Sequence, residues 1–347
     1  MMKKDNIKIF VLFIIVFIIS QKMEGQVNND FRAMIEAATK APSGHNTQPW
    51  LFKIHKSQIE ILPNWQDTLP VVDKNNRELF ISLGAATENL CIMASHLGYV
   101  SSVKIEEVEK KIVVDLVKQQ GVQKNDLALQ IDERQTNRKV YDGKIIPSDI
   151  LQILNNLKLY NNTCYYTIGK SDTLYSVLKE FIRRGNNIQM NNDAFKEELL
   201  KYMRFNNREI KQNPTGLTFK VIGAPALPAV ISKPVVKSFL KAEKQNKSDI
   251  EKVDSSSNLV LFTTKKDTFE DWINLGRSLE KYLLKVTELH LAYAFMNQPC
   301  EEKDLAEKLQ NYISVIKGEY PTLLLRIGYA DKAPYSPRKN IDDVIVK

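Results

Sequence analysis

The sequence predicts an α+β fold built as two similar halves, and three observations carry that expectation. Short strand-like runs come in neighbouring pairs, as in "WLFKI" and "IEIL" joined by "HKSQ", the layout of a hairpin. Long amphipathic helices separate these pairs. Two of those helices also resemble each other: "SLGAATENLCIMASHL" laid on "NLGRSLEKYLLKVTEL" matches at Leu83/Leu275, Gly84/Gly276, Glu88/Glu280 and Leu97/Leu289. The paired glycines fall mid-helix, where each costs about 1 kcal/mol against alanine and marks the close approach of another helix. The expectation is an internal duplication with its boundary near 120–145, giving halves 26–125 and 126–347.

The elements follow in order. Lys3, Lys4 and Lys8 precede "IFVLFIIVFII" at 9–19, a run too short for the ~20 residues of a membrane-spanning helix. A basic start and a short apolar core form a secretory signal, so residues 1–25 are read as a leader and the chain as exported to the periplasm. Met23 stands where a small residue is preferred before cleavage at Gly25, which leaves an uncleaved membrane anchor at 9–19 as the alternative. Phe31, Met34, Ile35 and Ala38 then fall at helical spacing, with Pro42 as the stop. The hairpin follows. From Arg77 to Gly98 a 3-4 pattern through Phe80, Leu83, Leu90 and Leu97 makes a long core helix, with Gly98 placed as its left-handed cap. "KIVVDLVK" reads as a strand and Asp126–Glu133 as a short helix.

In the second half, Pro147 and Ser148 open a helix, and "CYYTI", "LVLFTT" and "LLLRIGY" read as strands. Thr268 and Asp271 have capping-box spacing ahead of the second long helix. The stretch 205–234 is rich in proline and glycine and poorly periodic, so it reads as a long loop or lid.

Composition narrows the function. With 43% hydrophobic and 26% charged residues the chain is globular, and a net charge of +8 suits anionic ligands without suggesting a nucleic-acid binder. Cys91, Cys164 and Cys300 are odd in number and widely spaced, which excludes a disulfide framework or a CxxC zinc site and leaves them as small core residues. No GxGxxG, P-loop, HExxH or GxSxG string occurs. Two segments are dense in polar groups. "APSGHNTQPW" offers Ser43, His45, Asn46 and Gln48 between rigidifying prolines; it is either a plain helix-to-strand connector or a ligand-facing loop. "ERQTNRKVYDGK" sets Arg134 and Arg138 four apart with Thr136 between them. That is either a phosphate grip at a helix end or a solvated basic turn.

Together with "SLGAATENL" and the terminal "PTLLLRIGYADKAPYSPRKN", these segments resemble the nitroreductase superfamily of FMN-dependent oxidoreductases, especially its double-length branch related to the mycobacterial Acg proteins. The resemblance covers nearly all of 28–345. In the family, an R-x-S-x-R phosphate motif and a P-S-x-x-N-x-Q-P-W loop occur in one short chain that dimerises. Here the first half holds the loop and the second half holds Arg134, Gln135, Thr136 and Arg138, each lacking the other's motif. The resemblance therefore implies a nitroreductase-like pseudodimer with one composite FMN site. Pro42, Ser43, His45, Asn46 and Gln48 would face the ring, with Arg134, Gln135, Thr136, Arg138 and Arg338 near the phosphate. It further implies a monomer passing two electrons through FMN from a small-molecule donor, NAD(P)H by default, to nitro compounds or quinones. The flavin then does the chemistry and no catalytic side chain is needed. Export would remove the chain from NAD(P)H, so the rival is a flavin-sequestering protein with little turnover, its ring covered by 205–234.

Overall fold

A computed structural model describes residues 29–313 and 318–346. The leader at 1–25 lies outside the described residues, and no helix among the described residues is long and apolar enough to cross a membrane. Helix α1, over residues 29–39, buries Phe31, Met34, Ile35 and Ala38, as their spacing dictates. The hairpin β1 (Trp50–Ile54) and β2 (Gln58–Pro63) pairs Trp50 with Pro63 and Ile54 with Ile59. Helix α2 (Arg77–His96) follows, then the hairpin β3 (Tyr99–Glu106) and β4 (Lys111–Lys118), with β4 antiparallel to β2. Gly98, just after α2, takes φ 83, the left-handed cap its position suggests.

The second half runs through α3 (Ser148–Asn155), β5 (Thr163–Gly169), α4 (Thr173–Met190), α5 (Asp193–Lys201), β6 (Met203–Arg204), α6 (Asn207–Gln212), β7 (Leu217–Thr218), α7 (Ala229–Phe239) and α8 (Ala242–Asp254). It continues with β8 (Asn258–Thr264), α9 (Phe269–Glu288), β9 (Ala292–Phe295), α10 (Gln298–Glu301), α11 (Lys303–Tyr312) and β10 (Tyr320–Gly328). The chain then returns: α12 (Ile341–Val344) leads into β11 (Ile345–Val346), which pairs parallel with β1. One sheet has the order β11-β1-β2-β4-β3 and the other β5-β8-β10-β9. The C-terminal tail of the second half thus completes the first half's sheet, and it carries Arg338 towards the polar loop.

Helices α2 and α9 cross at the paired glycines. A Cβ on Gly84 would lie 2.2 Å from the Ile273 carbonyl oxygen, and one on Gly276 would lie 2.0 Å from that of Ile81. Only hydrogen fits at either position. Because the backbones touch, each helix reaches the other half's core: Phe269 and Ile273 of α9 pack with Phe80 and Leu83, while Ile81 of α2 packs with Leu275 and Tyr282. Fifteen residues of α2 are buried, so this helix is covered on nearly all sides.

The short helix expected over Asp126–Glu133 is present in 3-10 form at Asp126–Gln130, and past the turn that follows it Thr136 forms a parallel bridge with Tyr293. One sequence expectation is corrected here. The stretch 205–234 is not a plain loop, since α6, β7 and the start of α7 fall inside it and β7 pairs parallel with β6. Its chemistry explains the miss. Strands of two residues leave no periodic pattern, and α7 contains Pro234, which breaks the pattern expected of a helix. Cys91 and Cys300 are buried as expected, whereas Cys164 on β5 is only half-buried.

Candidate functional site

The polar loop after α1 is built on unusual backbone. Gly44–Asn46 form one 3-10 turn, and His45 (φ 48), Asn46 (φ 55) and Gln48 (φ 55) all adopt left-handed conformations. Such residues cost of order 1 kcal/mol each and persist where surrounding bonds over-determine them. Those bonds are present. Ser43 Oγ accepts from the Gln48 backbone N–H at 3.0 Å, leaving the hydroxyl's own proton available. Asn46 Nδ2 donates to the carbonyls of Pro337 (3.1 Å) and Gly216 (3.3 Å), while the Gly216 N–H donates to the Asn46 carbonyl at 3.1 Å. Gln48 Nε2 donates to the Pro214 carbonyl at 2.8 Å, and its Oε1 accepts from the Lys339 backbone N–H at 2.8 Å. The loop is therefore clamped between residues 214–216 and the C-terminal tail.

The second segment leaves the helical turn at its start: the Arg134 N–H still donates to the Gln130 carbonyl at 2.9 Å, and the chain then runs to the bridge between Thr136 and Tyr293, so Arg134 and Arg138 do not share a helix face. Their environments differ. Arg134 is 4% exposed; its Nε lies 3.1 Å from Glu280 Oε1 on α9, and its other nitrogens donate to the Tyr293 hydroxyl and the Lys40 carbonyl. Arg338 donates to Asn46 Oδ1 (2.5 Å) and to the Lys40 carbonyl (2.8 Å). Burial and the neighbouring Arg134 push the Arg338 guanidinium down to about 9. Arg138 has no hydrogen bond or ion pair among the described residues, and burial lowers its pKa too. Gln135 Oε1 accepts from the Ala333 N–H, while its buried Nε2 has no partner among the described residues. A cation with no ion pair among the described residues, a second whose charge burial disfavours, and an unpaired N–H donor meet here. Such a set favours an anion.

Two cavities meet at this wall, sharing Pro42, Ser43, Arg138 and Phe295. The basic one, about 260 Å³, is lined by Asn46, Arg134, Gln135, Thr136 and Arg338 besides the shared residues. The other, about 240 Å³, is mostly apolar, with Ile81, Ala85, Leu279 and Leu323 in its walls, and has His45 near the loop. Burial, helped by Arg138, pushes the His45 imidazole down to about 4, so it is neutral at pH 7. The structure therefore brings Pro42, Ser43, His45, Asn46, Arg134, Gln135, Thr136, Arg138 and Arg338 to one place. Gln48 is the exception: it is fully buried, lines neither cavity and serves as a brace.

Sequence reasoning missed three groups. Arg326 on β10 is 0% exposed and forms no ion pair among the described residues; its guanidinium donates to the carbonyls of Asn137 (3.2 Å) and Lys139 (2.7 Å) and stacks 3.9 Å from the Tyr141 ring. It fixes the backbone on either side of Arg138. The signal was visible: a lone arginine inside the apolar run "LLLRIGY". Glu280 was noticed only as a match to Glu88, yet it neutralises Arg134. Glu78 and Glu301 lie in the wall of the apolar cavity, Glu78 beside Gly44 of the loop, and burial together with their mutual repulsion raises Glu78 well above the carboxylate range. No local motif joins two residues so far apart in the chain.

No family model matches the chain. A relative from Mycobacterium tuberculosis H37Rv, named "Putative NAD(P)H nitroreductase Rv3131", is 21% identical over 327 residues, covering 90% of each chain, and the same figures hold for its counterpart in strain CDC 1551. Among solved structures, the chain is similar to an FMN-bound nitroreductase from Bacteroides fragilis at 14% identity, covering 62% of this chain and 94% of that one, with a TM-score of 0.36. It is also similar to the FMN-dependent nitroreductase NfnB from Mycobacterium smegmatis in complex with NADPH, at 9% identity, 63% and 97% coverage and a TM-score of 0.41.

Proposed function

We propose that this chain is an FMN-dependent oxidoreductase of the nitroreductase kind, whose single flavin site is composed from both halves of one polypeptide. The observation that carries the reading is Arg138, an unpartnered guanidinium in the wall shared by a basic and an apolar cavity. A ligand with a dianionic phosphate and a flat, largely apolar ring system matches that division. Arg138, Arg338 and Gln135 Nε2 would hold the phosphate. Ser43 and the neighbouring loop would meet the ring. The distant similarity to a mycobacterial nitroreductase over 90% of the chain supports the same class.

When bound, FMN supplies two-electron transfer between a reduced donor and an organic acceptor. The protein's part is orientation and electrostatics. Arg134, neutralised by Glu280, holds the Lys40 carbonyl and thereby the entry to the loop. Arg326 keeps the backbone around Arg138 in place. Residues 214–216 clamp the loop and carry Leu217 into the apolar cavity, which restricts water there. His45, neutral at pH 7, adds no competing positive charge beside the ring.

Anaerobic titration of the flavin-loaded protein with NADPH and NADH tests the activity. Bleaching of the flavin absorbance with either nucleotide, followed by recovery on adding a quinone or nitroarene, supports the reading. A flavin that stays oxidised with both nucleotides overturns turnover from NAD(P)H and favours sequestration, with residues 214–216 as the cover.

A further inference from the structure

The apolar cavity has a polar stretch of wall that flavin binding does not explain. Its centre is Asp249 on α8, which is 4% exposed. Three amide groups donate to Asp249 Oδ2: Asn186 Nδ2 at 3.1 Å, Gln245 Nε2 at 2.9 Å and Gln298 Nε2 at 3.0 Å. A carboxylate accepts only, so it fixes which end of each amide faces it. The amide oxygens must then point away. Those of Asn186 and Gln298 have no hydrogen-bond partner among the described residues, and Asn186 is 1% exposed. All three amide residues line the cavity.

Glu78 and Glu301 stand in the same wall. Glu78 Oε1 is sealed from solvent without a partner, and Glu301 Oε2 accepts from Gln189 Nε2 at 2.6 Å. No ion pair to either carboxylate occurs among the described residues; the nearby Arg77 donates through Nη2 to the Cys300 carbonyl at 2.6 Å. The unmet atoms here are the oxygens of Asn186, Gln298 and Glu78 Oε1, and Glu78 and Glu301 form a hydrogen-bonded carboxyl pair whose proton Glu78 holds more tightly than a free carboxyl does and releases when a cation enters. Leaving a buried acceptor unpaired is unfavourable, so a ligand that supplies donors binds the more tightly for each one it fills. An anion would meet only oxygen. Met190, Phe195 and Leu199 complete the surroundings with apolar surface.

We propose that the cavity wall formed by Glu78, Asn186, Gln298 and Glu301 binds a small organic cation with N–H donors on an apolar body, such as a protonated amine or amidine. As a statement about the substrate this rests on the oxidoreductase reading, in which an acceptor in this cavity would present its cationic group to these oxygens. As a binding site it stands on the cavity alone. The two cavities then differ in polarity: arginines for the phosphate in one and acceptor oxygens for the cation in the other.

Calorimetric titration of the full chain, both flavin-free and FMN-loaded, with benzamidine, neutral benzamide and anionic benzoate tests this. Benzamidine should bind at least about tenfold more tightly than benzoate, with benzamide between them. Glu78→Gln, checked for folding by its melting curve, should reduce that preference about tenfold. Asn186→Leu should weaken benzamidine and benzamide together and provides a second reading if Glu78→Gln does not fold. Equal binding of the three probes, a preference for benzoate, or an unchanged preference in both variants would overturn the assignment. A protein that takes up no flavin yet prefers benzamidine would sink the oxidoreductase reading alone. A yellow protein indifferent to ligand charge would sink this one alone.

Discussion

Replacing Arg138 and Arg134 in turn should separate a ligand-binding arginine from a structural one, although both belong to the same five-residue motif. Arg138 has no hydrogen-bond or ion-pair partner among the described residues, and its burial already disfavours its charge. Arg138→Ala should therefore leave stability unchanged or slightly improved. Its loss should fall on the ligand: a hydrogen bond to a charged group contributes about 1.5–3 kcal/mol, so FMN affinity should drop by about one to two orders of magnitude. Riboflavin, which lacks the phosphate, should be affected much less. Arg134→Ala should behave oppositely. It strands Glu280, 0% exposed on α9, and breaking one side of a buried ion pair typically costs about 3–5 kcal/mol. Urea unfolding and fluorescence titration with both flavins measure the two effects. Equal loss of FMN and riboflavin in Arg138→Ala would refute phosphate contact, and an unchanged unfolding midpoint in Arg134→Ala would refute the structural role of its ion pair.

Other substitutions have comparably defined outcomes. Gly276→Ala puts a methyl 2.0 Å from the Ile81 carbonyl, so α2 and α9 must separate; urea unfolding should show a loss at or above the upper end of the ~1–3 kcal/mol of overpacking. Gln48→Ala leaves the Pro214 carbonyl and the Lys339 N–H unpaired. It should lower stability by about 1–3 kcal/mol and weaken FMN and riboflavin alike, if at all. The His45 pKa is depressed to about 4 from 6.5, so the unfolded chain binds the extra proton first as pH falls. Stability from this group is fully present above pH 6.5 and lost on approaching pH 4. His45→Asn, which tolerates the left-handed backbone, should flatten that slope, a change of about 1–3 kcal/mol in denaturation free energy between the two pH values.

What was legible in the sequence followed from local chemistry. Phe31, Met34, Ile35 and Ala38 lie three or four residues apart, and all are buried on α1. Gly84 and Gly276 are anomalous within good helices, and the reason is their mutual contact. The strained loop and the arginine segment were recognisable from their polar groups. The loop's place between a helix and a strand was legible too, but the arginine segment's backbone was not, because a spacing of four suits a helix face and also a chain that leaves a turn. The clamp at 214–216 and the role of Gln48 depend on partners 166 or more residues away, which no local pattern encodes. The amide cluster around Asp249 was invisible for the same reason: its members come from α4, α8 and α10 and meet only in the folded chain.

The central claim is that one chain builds one flavin site from both halves. Its most direct measurement is the flavin content and absorption spectrum of the full chain, purified in the presence of FMN and sized by light scattering. A monomer with a flavin spectrum and one FMN per chain is the expected result. A chain that stays colourless at saturating FMN, or a dimer holding two FMN per chain, would contradict it.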